Sequence, residues 1–188
     1  MWFEIAEYFY GSKYRKFKKI NVNKFIEKYK IPSSNLDNYT KAAISRYCKE
    51  NHPSINKYLR ENKILNEEEK ECRDILDNVL SNEIGENIVV YRKMIGDPFK
   101  GVFFTEKGYM STSLIDGDIN QIHQGEFMLK ILVPANCKGF YVDYISCRNG
   151  EYEMLLNRNI TLKRIAYKKQ KKRMLVLCLV INCKDYTI

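Results

Sequence analysis

Three short elements in the second half of the chain carry residue types that can work on one substrate. The first is Val89-Val90-Tyr91-Arg92-Lys93, with an arginine near the end of an apolar run. The second is Gly108-Tyr109-Met110-Ser111-Thr112-Ser113, whose Ser111 lies 19 residues beyond Arg92. The third is Gly150-Glu151-Tyr152-Glu153-Met154-Leu155-Leu156-Asn157, whose first glutamate lies 40 residues beyond Ser111. A guanidinium forks two phosphate oxygens in a way that a lysine ammonium does not. Hydroxyls on a neighbouring strand can fix the rotamer of a carboxylate. Glutamates at i and i+2 of an extended segment project to one face about 7 Å apart, so each can serve a different partner in one transition state. Singly, these elements read as a surface cation, a polar β edge and a solvated strand end. As an ordered set they suit one job, combining an anion clamp, a supporting hydroxyl and a pair of carboxylates.

The elements that must position them follow from the apolar periodicity. Asn21 precedes the amphipathic stretch 22–29, which predicts a short helix ending before Pro32. Leu36, Tyr39, Ala43, Ile44 and Tyr47 recur at three- and four-residue spacings over 36–50. Pro53 suits the first position of a helix through Arg60. Asn66 and Glu69 form the pattern of a capping box, opening a helix with Ile75, Leu76, Val79 and Leu80 inward. After Gly85 the runs 88–91, 102–105, 127–133, 139–145, 154–156, 160–167 and 175–181 are rich in β-branched residues and broken by Gly, Pro and Asn. No ten-residue helical insertion separates most of them, which excludes alternating βαβ units. The expectation is one α+β domain over 1–188, mainly helical over 1–82 and mainly β over 86–188. Its strands should form two packed, mainly antiparallel sheets. The run Lys168–Arg173 reads as a solvated hairpin tip between the last two strands.

Composition narrows the classes. The chain has 188 residues, and its 32 Lys+Arg against 23 Asp+Glu give a net charge of +9. A hydrophobic content of 45% excludes a disordered chain. The longest apolar run, Met174–Ile181, is eight residues, against the ~18 that a bilayer span needs. The segment Met1–Tyr10 has no basic leader and carries Glu4 and Glu7, so it is not read as a signal peptide. Residues 1–30 hold eight Lys/Arg and three Glu, residues 163–173 hold seven Lys/Arg and no acid, and Glu67–Asp77 is an acidic block. That is a polarised surface, which permits a nucleic-acid partner without selecting one. The six cysteines form no C-x-x-C, and only His52 and His123 could assist them, so no metal site is expected. They read as reduced, mostly structural thiols, although an even count allows bridges in an exported chain.

The Y-R, S-T-S and G-E-Y-E-x-L-L-N elements together resemble the R-S-E class of mono-ADP-ribosyltransferase exoenzymes found in iota-type binary toxins. Tyr47, Ile55-Asn56-Lys57-Tyr58-Leu59-Arg60 and Ile131-Leu132-Val133-Pro134 extend the likeness over roughly residues 36–182. The resemblance implies a split β-sandwich with NAD in the cleft between its sheets. Arg92 would hold the NAD phosphates, Ser111 would orient Glu153, and Thr112 and Ser113 would shape the pocket. Glu153 would contact the nicotinamide ribose 2′-hydroxyl and stabilise the oxocarbenium ion formed as nicotinamide leaves. Glu151 would deprotonate the acceptor, and E-x-E rather than Q-x-E implies an arginine on a target protein. Tyr47 and Asn56 would line the cleft. Lys93 and Lys130 stand where the family often has phosphate-contacting arginines, Gly108 where it often has Asn, and His52 where it often has Tyr. Arg148 stands where an aromatic residue often meets the target. The implied protein is a monomeric toxin or effector with NAD glycohydrolase side activity, delivered by a route other than a leader peptide or acting in the cytoplasm. A nucleic-acid acceptor and a non-catalytic basic binding module are the alternatives.

Overall fold

Helices start and bend where particular residues oblige them to. In the computed structural model, which describes residues 1–116, 126–146, 150–170 and 173–183, six α-helices precede the strands: α1 (Trp2–Gly11), α2 (Asn23–Ile26), α3 (Lys30–Asn35), α4 (Asn38–Arg46), α5 (His52–Glu61) and α6 (Glu67–Val79). The expected stop before Pro32 is not observed. A 3₁₀ turn at Glu27–Tyr29 restarts the helix, so Pro32 falls in the first turn of α3, where its missing N–H costs nothing. Asp37 caps α4 by accepting from the Thr40 amide at 2.7 Å. Pro53 has no N–H and its ring would crowd the preceding turn, and the chain before it widens into a π-helical turn, Tyr47–Asn51. The Asn66–Glu69 capping box opens α6, with both of its hydrogen bonds present.

Eight strands follow: β1 (Ile88–Met94), β2 (Phe103–Glu106), β3 (Met110–Ser113), β4 (Phe127–Val133), β5 (Gly139–Tyr141), β6 (Glu153–Leu156), β7 (Ile160–Gln170) and β8 (Arg173–Val180). Their order is β2-β7-β8-β4-β1-β3-β6-β5, and only the β4–β8 pair is parallel. The five strands from β2 to β1 and the three from β3 to β5 meet through the single residue pair Tyr91–Ser113. This narrow junction is the split expected between two sheets.

Alternation along β1 and β4 separates the two faces of the larger half. Ile88, Val90, Leu129 and Ile131 point into the main core with α2 to α6, while Val89, Tyr91, Met128 and Leu132 point to a smaller core under α1. Helix α1 was not legible from periodicity, because its apolar residues spread far beyond one narrow face, leaving only Glu4, Glu7 and Gly11 on the remaining arc. It forms where Phe3 and Ala6 can bury on the sheet. Cys137 and Cys183 are joined in a disulfide between the turn after β4 and the chain leaving β8, which corrects the reading of these two as reduced thiols. Cys48, Cys72 and Cys178 are buried and take part in no disulfide.

Candidate active site

Glu153 opens β6 and is buried. Its partner across the ladder is Ser113, and the diagonal neighbour Ser111 donates its hydroxyl to Glu153 Oε1 at 2.5 Å. A short bond to a charged acceptor on a paired strand fixes the carboxylate rotamer without help from solvent. The other two hydroxyls of the triplet hold main chain. Thr112 Oγ1 donates to Met154 O at 2.6 Å, and Ser113 Oγ lies 2.9 Å from Glu151 O.

The two glutamates do not lie on one extended segment. Tyr152, between them, has φ 51°, a left-handed conformation that is costly for an aromatic residue, and Gly150 before them has φ 94°. The i, i+2 expectation therefore fails at this step. Glu153 is buried on the strand, whereas Glu151 sits half-exposed in the turn before it. Asp143 sustains that turn. Its carboxylate is buried and accepts from the amides of Tyr152 at 2.7 Å and Glu153 at 2.9 Å, with the Tyr141 hydroxyl at 3.3 Å. Burial pushes the Asp143 carboxyl above the usual carboxylate range, and the two amides oppose that shift.

Arg92 lies on the face of β1 that points into the cleft side of the sheet. Its Nη1 donates to the Ser111 carbonyl at 3.0 Å and its Nε to Met94 Sδ at 3.2 Å. Its Nη2 is 3.8 Å from Glu106 Oε2, and Glu106 also takes a bidentate pair of bonds from Arg60 of α5 at 2.7 and 2.8 Å. The Gly108 amide completes the set by donating to Glu106 Oε1 at 2.9 Å. Two guanidiniums thus converge on one buried carboxylate, a prealigned clamp for a larger anion. Ser111 links Arg92 to Glu153, its carbonyl accepting from the guanidinium and its hydroxyl donating to the carboxylate.

Tyr47, on the π turn, is buried, and its hydroxyl accepts from Asn56 Nδ2 at 3.0 Å. Burial holds this phenol strongly protonated. Asn56 Oδ1 accepts from the Tyr109 amide at 2.9 Å, so α5 is tied to the entry of β3. The close approach explains Gly108, because a Cβ there would lie 2.5 Å from Asn56 Oδ1. Tyr109 itself is a core residue, edge-on to the Tyr47 ring and bonded to Asp77 at 2.8 Å.

Two predicted cofactor contacts are placed elsewhere. Lys130 pairs with Tyr91, one residue out of phase with the Arg92–Leu129 pair, so it points to the opposite face and donates to Glu7 of α1 at 2.6 Å. Lys93 follows Arg92 in the same strand and alternates to that face as well. Arg148 lies outside the described residues. Arg60, Glu106 and Asp143 were missed. Arg60 closes the I-N-x-Y-L-R element, Glu106 ends an apolar strand, and Asp143 interrupts the apolar run 139–145, so a buried acid in an apolar setting was the available signal. Among the described residues no cluster of His, Cys, Asp or Glu is placed to hold a metal ion.

The fold has known counterparts. Plx2a, an ADP-ribosyltransferase toxin from Paenibacillus larvae, is 24% identical with a TM-score of 0.77, over 89% of this chain and 98% of that one. C3stau2 from S. aureus, solved with NAD, is 21% identical with a TM-score of 0.76, over 90% and 99% of the two chains. The ADP-ribosylating toxin BECa of a C. perfringens binary enterotoxin, solved with NADH, is 18% identical with a TM-score of 0.76, over 86% of this chain and 48% of that one. Comparison with curated proteins finds no match. The family described as ADP-ribosyltransferase exoenzyme matches residues 23–182. With most of its length covered by that match, the chain belongs to the ADP-ribosyltransferase exoenzyme family.

Proposed function

We propose that the protein cleaves NAD and transfers ADP-ribose to an arginine of a target protein. The observation that carries this reading is the Ser111–Glu153 bond beside the Arg92–Glu106–Arg60 cluster, because it combines a fixed carboxylate with two guanidiniums on neighbouring elements. Arg92 and Arg60 hold the diphosphate. Glu153, buried and oriented by Ser111, bonds the nicotinamide ribose 2′-hydroxyl and opposes the positive charge that develops at the anomeric carbon. Glu151, half-exposed at the turn, takes the proton from the incoming guanidinium, which needs a base before its nitrogen can attack. Tyr47 and Asn56 build the wall against which the nicotinamide end rests. The difference in burial between the two glutamates supports this division of labour. The Cys137–Cys183 bridge supports an exported or delivered protein.

The test supplies labelled NAD and a cell lysate. Transfer of label to protein is expected, with NAD hydrolysis in the absence of an acceptor. Glu153→Gln lowers both by about 100- to 1000-fold, the cost of removing one preorganised stabiliser of developing charge. Glu151→Gln retains hydrolysis and loses transfer. Folded protein that neither cleaves NAD nor transfers label would overturn the reading, label on RNA or DNA alone would replace the acceptor, and equal losses in the two variants would overturn the division of roles.

A further inference from the structure

Helix α1 has the sequence Trp-Phe-Glu-Ile-Ala-Glu-Tyr-Phe-Tyr-Gly, and at 100° per residue its apolar residues spread over about 220° of the circumference, with Glu4, Glu7 and Gly11 filling the rest. An apolar stripe that wide is more than one sheet face can cover. Here only one side is covered. Phe3 and Ala6 sit on the sheet at 3% and 2% exposure, while Trp2 is 67%, Ile5 41%, Tyr8 74% and Phe9 70% exposed. At 100° per residue these four fall on one continuous arc opposite Phe3. An exposed apolar patch of this extent marks an interaction surface.

The charges around the helix indicate what covers it. Its own acids are already matched, Glu4 by Lys168 at 2.7 Å and Glu7 by Lys16 at 2.5 Å and Lys130 at 2.6 Å. Beyond its C-terminal end the exposed chain carries Lys13, Lys16, Lys18 and Lys19, followed by Ile20 at 92% exposure. Beside its N-terminal end, at the Lys168 contact, the β7–β8 hairpin adds exposed Lys169. A second copy of the chain would bring these basic flanks against each other, which disfavours self-association. Trp and Tyr are the side chains that rest at the level of lipid headgroups, and flanking lysines are drawn to anionic ones.

We infer that α1 is an interfacial helix that docks the protein on an anionic lipid bilayer, with Trp2, Ile5, Tyr8 and Phe9 in the headgroup layer. The sheet then lies between the bilayer and the site, because α1 covers the face opposite the one that carries Arg92. The catalytic cleft stays turned toward solvent and a target.

The chain contains one tryptophan, so Trp2 is its own probe. Vesicles of phosphatidylcholine with phosphatidylserine should shift Trp2 emission to the blue, protect it from acrylamide and sediment the protein. Phosphatidylcholine alone, or high salt, should do little. The double variant Ile5→Ser/Phe9→Ser keeps Trp2 and alters only exposed positions. It should melt with the wild type, keep NAD hydrolysis and lose at least about tenfold in vesicle affinity. Trp2 emission that anionic vesicles leave unmoved, or a double variant that binds as well as the wild type, would overturn the inference. So would Trp2 burial that rises with protein concentration without lipid, since that result assigns the face to a second copy.

Discussion

Removing the Asp143 carboxylate should disable the transfer turn before it disables NAD cleavage. Asp143 holds the amides of Tyr152 and Glu153 at 2.7 and 2.9 Å, and each such bond to a charged acceptor is worth about 1.5–3 kcal/mol. Together they contribute about 3–6 kcal/mol, against about 1–2 kcal/mol for holding Tyr152 in the left-handed region. The carboxylate therefore wins, and the turn exists because Asp143 is there. Asp143→Ala leaves two donors without their acceptor but also removes a desolvated charge, so a net loss of about 3 kcal/mol is reasonable. For a chain of this length that lowers the melting temperature by roughly 6–12 °C. Glu153 remains paired with Ser113, bonded to Ser111 and held through its carbonyl by the Val142 amide at 3.1 Å, so its position survives. Glu151 loses the turn that presents it.

The assay compares NAD hydrolysis with transfer to protein, well below the melting temperature of the variant. Hydrolysis should fall by no more than about tenfold, and transfer by about tenfold more than hydrolysis. A variant that melts within about 2 °C of the wild type would refute the energetic argument, and equal loss of both activities would refute the positional one. The pH dependence supplies a second check. The folded Asp143 carboxyl titrates above its ordinary value because it is buried. The protonation-linked part of its contribution to stability is thus fully present below the unfolded value of 3.8 and is lost as pH rises through the folded value, where the two amide bonds remain. The melting difference between wild type and Asp143→Asn should widen as pH is lowered from neutrality toward 4, and a narrowing gap would contradict the assignment.

Three other perturbations separate the remaining parts of the site. Ser111→Ala removes the hydroxyl bond to Glu153 but keeps the carbonyl that Arg92 bonds, so kcat should fall about 10- to 150-fold with KM for NAD nearly unchanged. Glu106→Ala should do the reverse, raising KM for NAD about tenfold with kcat kept, because Arg60 and Arg92 lose the carboxylate that aligns them. Its buried location should also cost stability, about 3–5 kcal/mol by denaturant titration. Reducing the Cys137–Cys183 bridge, which closes a loop of 46 residues, should lower unfolding free energy by about 4 kcal/mol without changing KM for NAD.

What the sequence disclosed, and what it hid, follows the range of the forces involved. The Asn66–Glu69 capping box and the β-branched runs are local, so type and spacing sufficed for them, whereas the Ser111–Glu153 relation was implied by the family resemblance. The fate of Lys130 depended on register. It is one residue out of phase with Arg92, and phase between strands is set by the whole ladder rather than by either strand alone. The helix at the N-terminus escaped notice because an apolar stripe that covers most of its circumference gives no narrow face to detect. Arg60 and Glu106 come from distant segments and meet only in the folded chain, and Asp143 reaches the amides of Tyr152 and Glu153 only there as well. The Cys137–Cys183 pairing was hidden for the same reason.

The split in the sheet also accounts for why the substrate-facing residues double as fasteners. In a continuous sheet the carbonyl of Ser111 would find its partner in a neighbouring strand, but among the described residues β1 and β3 pair only at Tyr91 and Ser113. Where the strands diverge, Arg92 Nη1 supplies the missing donor at 3.0 Å. Glu106 likewise takes the Gly108 amide at the approach to β3, and Arg60 fixes Glu106 from the helical side. The gap between the two halves leaves main-chain groups without ladder partners, and such groups are met by side chains instead. The guanidinium and carboxylate that satisfy them are held rigid by doing so, which is the preorganisation that an anion clamp requires. Arg92→Lys keeps the charge but cannot span both Ser111 and Glu106, so it should weaken NAD binding and loosen the junction together.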